Sequence, residues 1–237
     1  MKHLERILVL LGLIFFSLAP AVSGAELKEV VAALEQGYNS LSDVRADFNQ
    51  RTVITSMKRE ERARGVLFIK KGSGNTSMFR FDYKKPRQLI VSDGRNAWYY
   101  LPENNQVMVS DLSALFAGGN GIALNYLTGM GRISRDFSIS FAGDGRDKNG
   151  NYLLELTPKE PNQALAKLRL TVAASVVERY LGKGEAGPVF PVIASVVDDH
   201  FGNRTFIDLS RIRVNEGIAD SRFRFKIPKG VEVIKNR

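Results

Sequence analysis

No cysteine occurs among the 237 residues, and histidine occurs only at His3 and His200. The first absence excludes disulfides, thiolate metal ligands and the acyl-accepting cysteine that anchors a bacterial lipoprotein. The second removes most of the parts of histidine-cluster metal sites and of serine–histidine hydrolysis. His200 stands in Asp198-Asp199-His200-Phe201-Gly202-Asn203. There Gly202-Asn203, between two strand patterns, reads as a hairpin turn in preference to a base beside carboxylates. Gly-x-Ser-x-Gly, His-Glu-x-x-His and the Walker loop are also missing. Asp144, Asp147 and Asn149-Gly150 lack the acidic twelfth position of a calcium loop, so a hairpin turn is expected. Gly118-Gly119-Asn120-Gly121 is too short to cradle phosphate. These absences predict no metal, no cofactor and no enzyme. A carboxylate pair for glycoside chemistry stays open, because any two strands can bring two acids together.

An apolar run long enough to cross a bilayer is missing as well. Ile7 to Leu18 follows Lys2 and Arg6 and precedes Ala19-Pro20-Ala21-Val22-Ser23-Gly24-Ala25. A membrane-spanning helix needs about 20 apolar residues, and basic, apolar and small residues in this order are those of an export signal. Residues 1–24 are therefore expected to be a signal peptide, and 25–237 one soluble domain in the periplasm. Without disulfides, an exported chain must rely on an ordinary apolar core, which this length allows. The formal net charge of +9 falls to +8 when the signal is removed. The positives are scattered along strands without a nucleic-acid motif. Nucleic acid is not expected as a partner; attraction to an anionic membrane or to acidic partners fits better.

What is present is alternation. Leu27, Val30, Val31, Leu34, Tyr38 and Leu41 first recur at helical steps, predicting an amphipathic helix from Ala25 to Leu41. From Val44 the period becomes two. Strands are expected at Val44–Ile54, Arg64–Lys70, Met78–Tyr83, Gln88–Ser92, Ala97–Leu101, Gln106–Val109, Phe137–Phe141, Tyr152–Leu156, Ala166–Val172, Val192–Asp198, Arg204–Leu209 and Ser221–Ile227. Turn residues at Lys71-Gly72-Ser73-Gly74-Asn75, Asp93-Gly94 and Pro102-Glu103-Asn104-Asn105 make the neighbours antiparallel. Two short helical patterns flank Gly118 to Gly121. The fold class is α+β, mainly β: one large antiparallel sheet that curls and is covered by helices, because a flat one leaves aggregation-prone edges.

In Met78–Pro86, MFRFDYKKP, the strand puts Phe79, Phe81 and Tyr83 on one face and Arg80, Asp82 and Lys84 on the other. The aromatic face either packs as a conventional core or is left partly hollow for an apolar guest. Phe79 to Val107, FRFDYKKPRQLIVSDGRNAWYYLPENNQV, resembles the central block of the LolA family of periplasmic lipoprotein carriers. The shared features are an aromatic strand, x-x-Pro, Val-Ser-Asp-Gly, Trp-x-Tyr and Pro-x-x-x-Gln-Val. Asp47-Phe48-Asn49-Gln50, Leu156-Thr157-Pro158-Lys159 and Phe223 to Ile234 extend the resemblance over nearly the whole mature chain.

The resemblance implies an incomplete antiparallel barrel of about 11–12 strands whose concave face is covered by helices. It implies a monomeric periplasmic chaperone that takes acylated lipoproteins from an inner-membrane ABC exporter, shields their acyl chains, and passes them to an outer-membrane lipoprotein acceptor. A carrier of lipid or glycolipid, or a lipid-responsive sensor on the same fold, is the other reading. Phe48, Phe68, Phe79, Phe81, Trp98 and Tyr100 are expected to line the acyl cavity, with Leu112, Leu115, Phe116, Leu124 and Leu127 on a lid. Both faces of Trp98–Leu101 are apolar, so Trp98 and Tyr100 rest on the resemblance. Many relatives have arginine followed by proline where this chain has Lys71-Gly72, and that arginine is thought to latch the lid. Lys71 is the latch candidate, but it lacks the planar fork of a guanidinium. Glu178 to Pro191 exceeds the common carriers in length.

Overall fold

The structure is a computed structural model that describes residues 24–72, 76–112, 133–160 and 165–235. Residues 1–23, nearly all of the expected export signal, and the lid candidates Leu115, Phe116, Leu124 and Leu127 lie outside the described residues.

Helix α1 (Leu27–Asn39) starts where the Glu29 carboxylate accepts the Glu26 N–H at 2.7 Å, and it buries Val30, Ala33, Leu34, Gly37 and Tyr38. Those positions recur at three and four residues, which places them on one stripe. The Ala25 N–H donates to the Tyr152 hydroxyl at 3.3 Å, and the Lys71 Nζ donates to the Asn39 carbonyl at 2.7 Å. The helix therefore runs across one sheet face, its start tied to the eighth strand and its end to the second.

That sheet has twelve strands among the described residues: β1 (Asp43–Ile54), β2 (Arg59–Lys71), β3 (Ser77–Lys85), β4 (Gln88–Ser92), β5 (Asn96–Leu101), β6 (Gln106–Asp111), β7 (Phe137–Arg146), β8 (Tyr152–Pro158), β9 (Lys167–Val172), β10 (Val192–Asp198), β11 (Arg204–Val214) and β12 (Glu232–Lys235). Their order is β12-β6-β5-β4-β3-β2-β1-β11-β10-β9-β8-β7. The sheet is open, with β12 and β7 at its edges, in agreement with the expected incomplete barrel. Short helices are α2 (Ile133–Asp136) and α3 (Ala174–Lys183).

Register decides which residues share a face. Phe48 opposes Gly65, Gly65 opposes Tyr83, Leu67 opposes Phe81, and Ile69 opposes Phe79. On the far side, Leu154 opposes Leu170 and Leu156 opposes Leu168. All of these, with the α1 stripe, belong to one apolar cluster, Tyr83 at its margin and Gly65 beneath the Phe48 ring. Arg211, at φ 51°, sits in a bulge against β1, so that Leu209 and Ile212 both face this cluster despite being three residues apart.

One sequence expectation is corrected, and one segment gains a role. Ser221–Ile227 alternates like a strand, yet it forms a 3₁₀ turn (Asp220–Phe223) and an extended tail that lays Phe223, fully buried, on the other sheet face. The segment gives its side chains to the sheet's back and no backbone to a ladder. The last strand is β12, parallel to β6 with Glu232 opposite Gln106. Glu178–Pro191, for which the sequence offered no role, contains most of α3 and holds α1. Gln36 Nε2 donates to the Gly184 carbonyl at 3.3 Å, Gln36 Oε1 accepts the Ala186 N–H, and the Ser40 hydroxyl donates to the Gly187 carbonyl at 2.8 Å. Phe190 packs edge-on to Tyr38 at 5.3 Å.

Candidate functional site

The aromatic row begins in the buried centre. Phe79 and Phe81 lie 6.2 Å apart, Phe81 and Phe48 5.7 Å, and Phe48 and Tyr83 4.8 Å, all at steep interplanar angles. Phe48 reaches across β2 because residue 65 is glycine. A Cβ there would stand 2.8 Å from the Phe48 ring and 2.2 Å from the Asp82 carbonyl oxygen.

Beyond Tyr83 the same face continues over β4, β5 and β6. Phe81 opposes Ile90, Ile90 opposes Tyr99, and Tyr99 opposes Met108. Tyr83, Ile90, Tyr99 and Met108 are only partly buried, whereas Phe48, Phe79 and Phe81 are closed off. A polar rim accompanies them. The Tyr83 hydroxyl donates to Gln50 Oε1 at 3.1 Å, and Gln50 Nε2 donates to the Thr52 hydroxyl at 3.3 Å. Thr52 meets Thr205 at 3.1 Å, and the Tyr99 hydroxyl donates to Gln88 Oε1 at 2.8 Å. Burial pushes both phenols above their ordinary range, so they remain neutral donors. The surface is chemically an apolar floor edged by hydrogen-bonding groups, with the Glu61 carboxylate near Tyr99, and it is suited to holding hydrocarbon.

The six residues expected to line one cavity divide between two faces. Phe48, Phe79 and Phe81 are on the α1 face. Phe68, Trp98 and Tyr100 are on the other: Phe68 opposes Arg45 and Arg80, Trp98 opposes Val91, and Tyr100 opposes Leu89. Phe68 carries the guanidinium of Arg222 at 4.8 Å from its ring centre, and the Phe225 ring lies 6.4 Å from Trp98 and 5.5 Å from Tyr100. The physical reason is that the C-terminal tail covers the outer face, which therefore also needs apolar side chains; alternation is lost wherever both faces are dry. Tyr83, Ile90, Tyr99 and Met108 were missed. Counting register outward from Phe81 through the short turns at Pro86-Arg87 and Asp93–Arg95 would have selected them.

Leu112, the first lid candidate, is 7% exposed and belongs to the α1-face cluster, and its N–H donates to the Arg95 carbonyl at 2.8 Å. Lys71, the latch candidate, donates to the last turn of α1, where a cation is favoured at the negative end of the helix. The two acidic turns are hairpins. Asp147 Oδ1 accepts the N–H groups of Asn149 and Asn151 at 2.8 and 2.9 Å. Asp199 Oδ1 accepts those of Phe201 and Asn203, both at 2.8 Å. Among the described residues no group of three or more His, Cys, Asp or Glu is placed to hold a metal ion, and no helix is long and apolar enough to cross a membrane.

Comparison with known proteins agrees with this geometry. The family described as outer membrane lipoprotein carrier protein LolA matches residues 39–180. An outer-membrane lipoprotein carrier protein of Chromobacterium violaceum is 32% identical over 217 residues, 91% of this chain and 90% of that one. One of Neisseria meningitidis serogroup B is 28% identical over 221 residues, covering 93% of each chain. The crystal structure of a DUF1329 family protein from Desulfovibrio piger shares the fold at a TM-score of 0.50 and 15% identity, over 83% of this chain and 96% of that one. This chain belongs to the LolA family of outer membrane lipoprotein carrier proteins.

Proposed function

We propose that the protein is a periplasmic chaperone that shields the acyl chains of lipoproteins between an inner-membrane ABC exporter and an outer-membrane acceptor. The observation that carries this reading is the partly buried strip Tyr83, Ile90, Tyr99 and Met108, continuous with the aromatic row and edged by hydrogen-bonding groups. Leaving an acyl chain of about fifteen methylenes in water costs roughly 12 kcal/mol, at ~0.8 kcal/mol each. A strip of this kind removes part of that cost.

A carrier must also release its load. Holding the chain at full value would prevent delivery, so loading must disrupt some of the protein's own apolar contacts. Phe48, Phe79 and Phe81 are fully packed without cargo, and they are the contacts an entering chain would have to compete with. In this reading they form the inner end of the site, and the strip is its entrance.

The test is purification of the protein from its native periplasm, with mass spectrometry of what remains bound. Acylated protein or acyl lipid at stoichiometric level is the expected result. Turnover of a lipid ester by the pure protein, without retention of the acyl product, would replace the carrier with an enzyme.

A further inference from the structure

A second site lies on the outer face, where the tail crosses β1, β2 and β3. A cleft of ≈ 480 Å³ is lined by Arg45, Phe68, Arg80, Ser221 and Arg222, with Ile218, Ala219 and Glu216 along its wall. Three arginines around a buried phenylalanine call for an explanation. Arg80 is neutralised, since its Nε meets both Asp82 oxygens at 2.9 and 3.0 Å, and its Nη1 donates to the Arg222 carbonyl at 3.2 Å. Glu216 is engaged by Arg213 at 3.4 Å. Among the described residues neither Arg45 nor Arg222 has a carboxylate partner; both lie over the Phe68 ring, at 5.9 and 4.8 Å from its centre.

A cation held over an aromatic ring keeps N–H donors free for a further partner. Each guanidinium offers five N–H donors in a rigid plane to an oxyanion. The opposing wall is fixed. The buried Asp43 carboxylate accepts the N–H groups of Glu216, Gly217 and Ile218 at 3.0, 2.9 and 3.2 Å. Lys70 Nζ donates to the Ile218 carbonyl at 2.7 Å and to Asp220 at 2.6 Å. A second basic cleft, near the β1–β2 hairpin, differs because its Arg51 and Arg62 share Glu60, Asp208 stands in its lining and no aromatic ring does.

We propose that the cleft between the outer sheet face and the Glu216–Arg222 segment binds a phosphate group through Arg45 and Arg222. Phosphate fits better than a single carboxylate, because it offers enough oxygens for two separate guanidinium edges. Phe68, Ile218 and Ala219 supply apolar surface beside the anion, which suits the glycerol side of a phospholipid headgroup. The site lies on the face opposite the acyl strip, so its failure leaves the carrier reading untouched.

The experiment uses the full mature protein and its R45Q, R222Q and R62Q variants, with thermal melting to confirm that each is folded. R62Q removes an equal charge outside the cleft. Binding is measured to vesicles of equimolar phosphatidylcholine and phosphatidylglycerol, to glycerophosphoglycerol, and to inorganic phosphate. R45Q and R222Q should each weaken binding about ten-fold, the value of a charge-assisted contact, while R62Q retains it. Saturation by inorganic phosphate assigns the site to free phosphate; binding that needs glycerophosphoglycerol or vesicles assigns it to a lipid headgroup. Equal losses in all three variants would reduce the effect to general charge attraction and overturn the site. So would binding of polyglutamate but of no phosphate compound, or an absence of binding to every probe. If either cleft variant is unfolded, Arg→Lys at that position keeps the charge and removes the fork; unchanged phosphate affinity then overturns the proposal.

Discussion

Gly65→Ala is the smallest change that tests the packing of the aromatic row. A Cβ at residue 65 would lie 2.2 Å from the Asp82 carbonyl oxygen and 2.8 Å from two atoms of the Phe48 ring. The oxygen is backbone, in the ladder that joins β2 to β3, so at least about 1 Å of strand separation is needed to restore ordinary contact. Phe48, 2% exposed and wedged between Phe81 and Tyr83, has no free side to move toward. Overpacking of this kind typically costs 1–3 kcal/mol, and the backbone clash places the value near the upper end, about 3 kcal/mol. For a domain of this size each kcal/mol lowers the melting temperature by roughly 2–4 °C, so a fall of about 6–12 °C is expected by calorimetry. Phe48→Leu removes the ring but leaves the carbonyl in place. The double variant should therefore lose less than the two single losses combined, by about 1 kcal/mol, as contacting residues do. A Gly65→Ala protein that melts with the wild type, or a strictly additive pair, would refute the contact between the Phe48 ring and the β2 backbone.

The carrier reading separates Ile90 from Phe79. Ile90→Glu, on the partly buried strip, should fold and lose roughly thirty-fold in affinity for a fluorescent fatty acid, as expected from two or three fewer buried methylenes. Phe79→Glu places a carboxylate at a position with 0% exposure and should unfold the protein, so it is no test of cargo uptake; wild-type loading by I90E would argue against the strip. Among the described residues the buried Tyr38 hydroxyl has no hydrogen-bond partner. Tyr38→Phe should melt at or above the wild-type temperature, and a loss beyond about 1 kcal/mol would show a partner for the hydroxyl. Glu155 accepts Lys167 Nζ at 2.7 Å and Arg169 Nε at 3.2 Å, and chiefly the Lys167 hydrogen bond holds its carboxyl below the ordinary 4.5. Its contribution is complete above that ordinary value and disappears as pH falls through the depressed one. Glu155→Gln should flatten the acid side of a urea-midpoint profile taken from pH 7 to about pH 3, and an unchanged acid limb would contradict the pairing.

Much of the architecture was legible because one face of the sheet differs from the other. The β4 and β10 boundaries read from alternation match the structure, and α1 lies within the helix its spacing predicted. Its stripe is apolar against polar, so period alone suffices. The resemblance at Phe79–Val107 identified the family through residues that are local in sequence. Phe48, Phe79 and Phe81 share one buried face, as strict alternation along their strands requires.

Where chemistry does not vary along the chain, only tertiary structure could choose. Val66–Ile69 and Trp98–Leu101 are apolar on both sides, and which side meets α1 depends on pairing with strands distant in sequence and on a C-terminal tail that lies over the back. The same tail alternates like a strand, yet its role depends on whether a sheet edge or a sheet face is free to receive it. Composition and period thus determined a cysteine-free sheet with a helical cover. Long-range register decided that Tyr83, Ile90, Tyr99 and Met108 face the helix side, while Phe68, Trp98 and Tyr100 are turned toward the tail. A one-residue shift in parity reverses a side chain's face at no change in local preference, which is why no reading of one strand alone can supply it.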